Sequence, residues 1–181
     1  MHPASLKTRQ WLEQVIVGLN FCPFAKKEVV NNTIHYHVSG QKQVQMALEE
    51  LIEQCQYLQQ HQELETSLII YDSGFEQFDG YLDLLEYANE LLIESGYEGI
   101  FQLASFHPDY CFEGEAPEDA ANFTNRSPYP TIHIIREDSL ERVLKSYREP
   151  EEIPVNNMKL ARAKGSRYFV DLLNRIHQGK S

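Results

Sequence analysis

Long apolar runs are missing from this 181-residue chain. No stretch approaches the roughly 18 consecutive apolar residues that a membrane-spanning helix needs, so no membrane partner is expected. The start, MHPASLKTRQWLEQVIVGL, places no extended apolar core behind a charged segment, and no export signal is read there. Cysteine is scarce. Cys22, Cys55 and Cys111 form neither an even-numbered disulfide framework nor a CxxC metal pair, which fits a reducing, cytoplasmic compartment. The N-x-T triplets at Asn31 and Asn122 then carry no glycosylation meaning. Basic residues are short as well: 16 Lys and Arg face 27 Asp and Glu, a net charge of −11 that argues against nucleic acid and anionic lipid as partners. A glycine-rich phosphate loop, a GxSxG elbow and an HExxH pair are all absent.

What is present is enough apolar material, 42% of residues, for one well-buried core, and a single domain over 1–181 is expected. Charge is distributed unevenly. Between Lys42 and Arg126 there are 18 carboxylates and no Lys or Arg, whereas Lys159, Arg162, Lys164, Arg167, Arg175 and Lys180 near the end face only Asp171. That basic end is read as packing against the acidic body or facing water.

Apolar periodicity outlines the elements. Leu12, Val15, Ile16 and Leu19 predict a helix over 6–19, and TIHYHV (33–38) alternates like a short strand. Val44, Ala47, Leu48, Leu51, Cys55 and Leu58 share one face of a helix over 42–61, which makes Cys55 a core residue. SLIIYD (67–72) reads as a strand, and Phe78, Tyr81, Leu85, Ala88 and Leu92 as a helical stripe ended by Gly96. Strands follow at 99–106 and 131–137, then helices over 139–147 and 157–176, with 107–130 as a long functional loop and 148–156 as a linker. The order predicts an α/β or α+β fold: a small mixed, partly parallel sheet of about four strands packed with helices, the fourth strand a candidate for antiparallel pairing.

Several residues suit chemistry. Pro23 favours a helix beginning there, with Cys22 as its N-cap, where backbone N–H groups, Lys26 and Lys27 would stabilise a thiolate. The alternative is a small residue tucked between Phe21 and Phe24. His107 lies just past the carboxyl end of a strand, where open α/β sheets place ligands and where a histidine can move protons; a loop histidine held by backbone is the plainer reading. Tyr110 either orients a ligand or covers the loop. In TNRSPYP (124–130), Asn125, Ser127 and Tyr129 supply polar groups beside the Arg126 fork, which can grip a carboxylate or phosphate or else neutralise acids of its own loop. Period-two alternation sends Ile132, Ile134 and Arg136 to one sheet face and Thr131, His133 and Ile135 to the other, so His133 and Arg136 diverge. His35 and His37 form an HxH pair with no third ligand nearby, and no metal site is assigned.

GLNFCPFA (18–25), QLASFHPDYCFEG (102–114) and TNRSPYPTIHIIRE (124–137), in that order, resemble a bacterial family, the domain of unknown function 1415. The likeness spans nearly the whole chain and implies a stand-alone, cytosolic-type protein of about this length. Cys22, His107, Pro108, Tyr110, Asn125, Arg126, Ser127, Pro128, Tyr129, Pro130, His133 and Arg136 match its motif positions, while Cys111 falls outside the pattern. The reading that results is a small-molecule enzyme: Cys22 as nucleophile, His107 as acid/base, and Arg126 with Asn125 holding an anionic metabolite, with acyl or related group transfer as the reaction class. Tyr110, Ser127, Tyr129, His133 and Arg136 would complete the binding site. A non-catalytic module binding an anionic metabolite or a partner protein through the same loop is the alternative. No cofactor is indicated, and the oligomeric state is not legible.

Overall fold

The computed structural model describes residues 1–145 and 147–179; Ser146, inside the expected 139–147 helix, and Lys180 of the basic end lie outside the described residues. Four strands form one mixed sheet: β1 (Ile34–Ser39), β2 (Thr66–Tyr71), β3 (Phe101–Phe106) and β4 (Thr131–Arg136). Their spatial order is β1-β2-β4-β3. β1 and β2 run parallel from Ile34 opposite Thr66 to Ser39 opposite Tyr71, joined through helix α3 (Val44–Gln60). β4 is antiparallel to both of its neighbours, β2 and β3. The connection through α4 (Phe78–Glu94) therefore skips one position in the sheet, and the long segment after β3 brings β4 back into it. β2 lies inside the sheet and all six of its residues are buried, which is why it reads as an unbroken apolar run rather than an alternating one.

Helices cover both faces. On one, α3 and α4 pack Leu51, Cys55, Leu58, Leu84 and Ala88 against Ile69, Tyr71, Phe101, Ile132 and Ile134. Cys55 is fully buried and desolvation pushes its thiol up to about 12. The wholly buried Tyr81 donates its hydroxyl to the Thr131 carbonyl at 2.7 Å, anchoring α4 to β4. On the other face, α1 (Pro3–Trp11), the π-helical turn Leu12–Val17 that continues it, and α7 (Ser166–His177) enclose Trp11, Phe21, Phe123, Phe169 and Ile176. Helix α2 (Ala25–Asn31) leads from there into β1.

Three of the differences from the sequence reading have a local physical cause. The first helix starts at Pro3 rather than near residue 6, because His2 Nδ1 accepts the Ala4 N–H and proline suits a first helical turn. The 148–156 linker is shorter than expected, since α6 (Glu152–Lys164) already begins at Glu152 with Pro154 in its first turn, where a missing N–H costs nothing. The single helix expected over 157–176 is two, α6 and α7, broken at Gly165, whose φ of 80° and ψ of 152° lie outside helical geometry. Between β4 and that pair lies α5 (Glu137–Leu144), which buries no residue completely.

Candidate functional site

The loop between β3 and β4 is held together by its own polar residues. His107 is fully buried; its Nε2 donates to the Phe75 carbonyl at 2.9 Å, and Nδ1 accepts the Asp109 N–H at 3.0 Å. With one nitrogen donating and the other accepting, the neutral tautomer is specified, and burial lowers its pKa against the pull of the Phe75 carbonyl. Its ring packs at a tilt against Phe78 and Tyr81, and Phe78 also meets Tyr110. The Asn125 amide donates to the Ser105 carbonyl at 3.1 Å and its backbone carbonyl accepts the His107 N–H, stitching the two ends of the loop. Buried Ser127 donates to the Tyr129 carbonyl at 2.6 Å. Arg126 places Nε on the Tyr110 carbonyl at 3.0 Å, Nη2 on the Pro117 carbonyl at 2.8 Å and its guanidinium 4.6 Å from the Phe123 ring centre. It forms no ion pair with the acids of its loop among the described residues. Two of those acids have another partner: Arg162 of α6 bridges Glu115 and Asp119.

β4 divides its two basic side chains as alternation requires. Arg136 turns to the α3 side and donates to the carbonyls of Leu58, His61 and Leu64, satisfying the C-terminal end of α3 and the turn after it. His133 lies on the opposite face, in contact with Phe106 and hydrogen-bonded through Nε2 to Thr66 Oγ1 at 2.5 Å. Thr66 Oγ1 is also 2.6 Å from the Ile134 carbonyl, which can only accept, so the single hydroxyl proton points there. His133 Nε2 is consequently the donor to Thr66, and Nδ1 is an acceptor with no hydrogen-bond partner among the described residues. Desolvation pushes this imidazole down to about 4, so it is neutral at pH 7.

His133 forms part of the wall of a cavity of about 260 Å³ between the sheet and its covering helices. Ala104, the cross-strand partner of His133, leaves space where a larger side chain would fill it. Trp11, Ile16, Phe24, Leu68 and Phe106 make the wall largely apolar, and Leu140 and Val143 of α5 close one side. Cys22 is also in the wall. It is not a helix N-cap: α2 begins at Ala25 with Phe24 in the flanking position, and Cys22 and Pro23 form the preceding turn, because the Cys22 carbonyl accepts the Ala25 N–H. The Phe24 and Ala25 N–H groups do face its sulfur, but burial dominates and raises the thiol pKa, the reverse of the activation expected from the sequence. Among the described residues the cavity wall contains two carboxylates, Glu28 and Glu65, and no Lys or Arg. Glu28 accepts from Thr33, and Glu65 accepts from Ser139 at 2.6 Å.

A family model described as Protein of unknown function (DUF1415) matches residues 4–171. The chain belongs to that family. No curated protein and no solved structure matches it. The DUF1415 span contains both the cavity wall and the whole 107–130 loop.

Of the residues singled out in this DUF1415 chain, the structure brings Cys22 and His133 to one cavity and sends His107 to the far face of the sheet, against α4. Tyr110, Asn125, Arg126 and Ser127 cluster within the loop, Tyr129 packs toward His177, and Arg136 serves α3. Sequence reasoning missed Trp11, Thr66, Ala104 and Phe106 as wall residues. Alternation along β3, which puts Ala104 and Phe106 on one face, carried part of that signal; Trp11 and Thr66 needed the packing of distant elements. His35 and His37 point to the α3 side, where His35 meets Tyr57 and His37 pairs with Glu50. Among the described residues no group of three or more His, Cys, Asp or Glu is arranged to hold a metal ion. Nor, among them, is any helix long and apolar enough to cross a membrane.

Proposed function

We propose that this protein binds a small, neutral, mostly apolar molecule in the cavity above the sheet, and that the ligand donates a hydrogen bond to His133 Nδ1. The observation that carries this reading is the neutral imidazole itself: Thr66 holds one nitrogen, and the other is an acceptor in an apolar wall with no partner among the described residues. An unpaired acceptor in low-dielectric surroundings gains from a donor supplied by a ligand. A cavity of about 260 Å³ exceeds the roughly 150 Å³ in which an apolar pocket already takes benzene, so a substituted single ring or a short branched chain fits. With two carboxylates and no cation among the described residues of its wall, the cavity disfavours an anion.

The test compares small phenols, alcohols and amides with the matching carboxylates by thermal shift and by chemical-shift perturbation. Neutral donors should stabilise the wild type, His133→Leu should lose the preference for ligands with a donor group, and Ala104→Leu should fill the space and abolish binding. Carboxylates stabilising the wild type as well as neutral compounds would refute the reading.

A second reading retains thiol chemistry. The Phe24 and Ala25 N–H groups aimed at Cys22 would receive a developing thiolate, and His133 rather than His107 would accept its proton; the sulfur would attack a neutral ester or thioester, His133 would return the proton to the departing alcohol or thiol, and water or a second alcohol would then take the acyl group from the sulfur. Cys22→Ser should then abolish turnover without abolishing binding. Anion binding at the 107–130 loop would rely on the Arg126 N–H groups not already engaged with Tyr110 and Pro117.

A further inference from the structure

The outer faces of α3 and α4 leave an apolar groove of about 740 Å³ between Val44, Leu48 and Ile52 on one helix and Tyr87 and Leu91 on the other. Tyr87 is 52% exposed although it stands on a helix whose other face is core. Carboxylates edge the groove. Glu49 and Glu53 project from α3; on α4, Glu90 and Glu94 follow Tyr87 and Leu91 at a spacing of three residues and Asp83 precedes Tyr87 by four, which puts them beside the apolar row. No Lys or Arg occurs between Lys42 and Arg126 to neutralise them. Among the described residues none of Glu49, Glu53, Asp83, Glu90 and Glu94 has an ion-pair partner, whereas Glu115 and Asp119 elsewhere share Arg162.

We propose that this groove docks a basic amphipathic helix of a partner protein, its apolar stripe against Val44, Leu48, Ile52, Tyr87 and Leu91 and its Lys or Arg residues against the flanking carboxylates. An acid-edged apolar groove is the complement of such a helix, which buries its stripe while its charges steer the approach. A symmetric pairing of two copies through this face would set carboxylate against carboxylate, and a nucleic acid or anionic membrane would be repelled for the same reason.

Two synthetic helical peptides with the same leucine stripe, one carrying lysines and the other glutamates, test this by fluorescence anisotropy against the full chain. The lysine peptide should bind and the glutamate peptide should not, with affinity falling by about tenfold or more as salt rises from about 50 to about 500 mM. Tyr87→Ser and the double change Glu90→Lys with Glu94→Lys should each weaken binding by roughly tenfold, while Lys159→Glu on α6 should leave it unchanged. Both changes on α4 are at solvent-exposed positions, and melting curves verify that the variants fold. No binding of the lysine peptide, equal binding of both peptides, or binding indifferent to both α4 variants would overturn the proposal. So would sedimentation showing an oligomer that Tyr87→Ser dissociates, since a second copy of the chain would then occupy the groove.

Discussion

At the scale of single residues, the two arginines of the 124–137 motif act on backbone carbonyls. Arg136 joins β4 to the end of α3 through three of them, at Leu58, His61 and Leu64. Hydrogen bonds from a charged donor are each worth about 1.5–3 kcal/mol, and truncation leaves the acceptors to water at best, so Arg136→Ala should cost about 3 kcal/mol in urea unfolding, with Arg136→Lys recovering only part. A loss under about 1 kcal/mol would mean that the end of α3 is capped by solvent instead. Arg126 ties Tyr110 to Pro117 within its loop. Being partly exposed, it should cost less, about 1–2 kcal/mol for Arg126→Ala, and the 107–130 segment should become a site of limited proteolysis. An anchor waiting for a ligand would leave both stability and proteolysis unchanged. The type and position of Arg126 drew attention in the sequence; its partners did not, because carbonyl groups exist at every position and leave no mark on the residue string.

At the scale of elements, helical stripes and short strands were legible to within a few residues, since period-3.6 and period-2 patterns follow from which face is buried. α3 kept its expected apolar residues, α4 kept all but Leu85, whose place in the core Leu84 takes, and Gly96 adopts the positive φ expected where a helix ends. The basic C-terminal helix was misread as continuous because Gly165 alone interrupts an otherwise helical string. At φ 80° and ψ 152° this residue occupies backbone space reserved almost wholly for glycine, and a Cβ there would meet no neighbour within 4 Å. Gly165→Ala should therefore destabilise by about 1–3 kcal/mol through backbone strain alone, read as a lower melting temperature with unchanged circular dichroism at about 20 °C or below. An increase in helix content with no loss of stability would show that α6 and α7 can fuse, and that the break is not enforced by packing.

At the scale of the whole molecule, four histidines, His35, His107, His133 and His177, have pKa values lowered first of all by desolvation. A histidine whose folded pKa is depressed binds its proton more readily in the unfolded chain. Stability is therefore complete above the unfolded value near 6.5 and is lost as pH falls toward the folded values, for His133 about 4. His133 alone should account for about 3 kcal/mol across that window, because a tenfold difference in proton affinity between the folded and unfolded chains corresponds to about 1.4 kcal/mol. Urea midpoints measured from about pH 7.5 to about pH 4 should fall steeply in the wild type, and His133→Leu should flatten the fall; an unchanged slope would place the acid sensitivity in the other imidazoles.

Composition and periodicity were sufficient for the fold class, the mixed sheet, the burial of Cys55 and the opposite directions of His133 and Arg136, since each depends on contacts that repeat along the chain at fixed intervals. The position of β4 between β2 and β3, the separation of His107 from Cys22 and the cavity that joins Cys22 to His133 were decided by tertiary structure. The cavity exists because Ala104 happens to face His133 across strands while Trp11, Phe24 and Leu140, from three separate segments of the chain, stand around it. Only packing brings such distant residues to one wall, and only desolvation within that wall turns an ordinary imidazole into a neutral acceptor and an ordinary thiol into a reluctant acid.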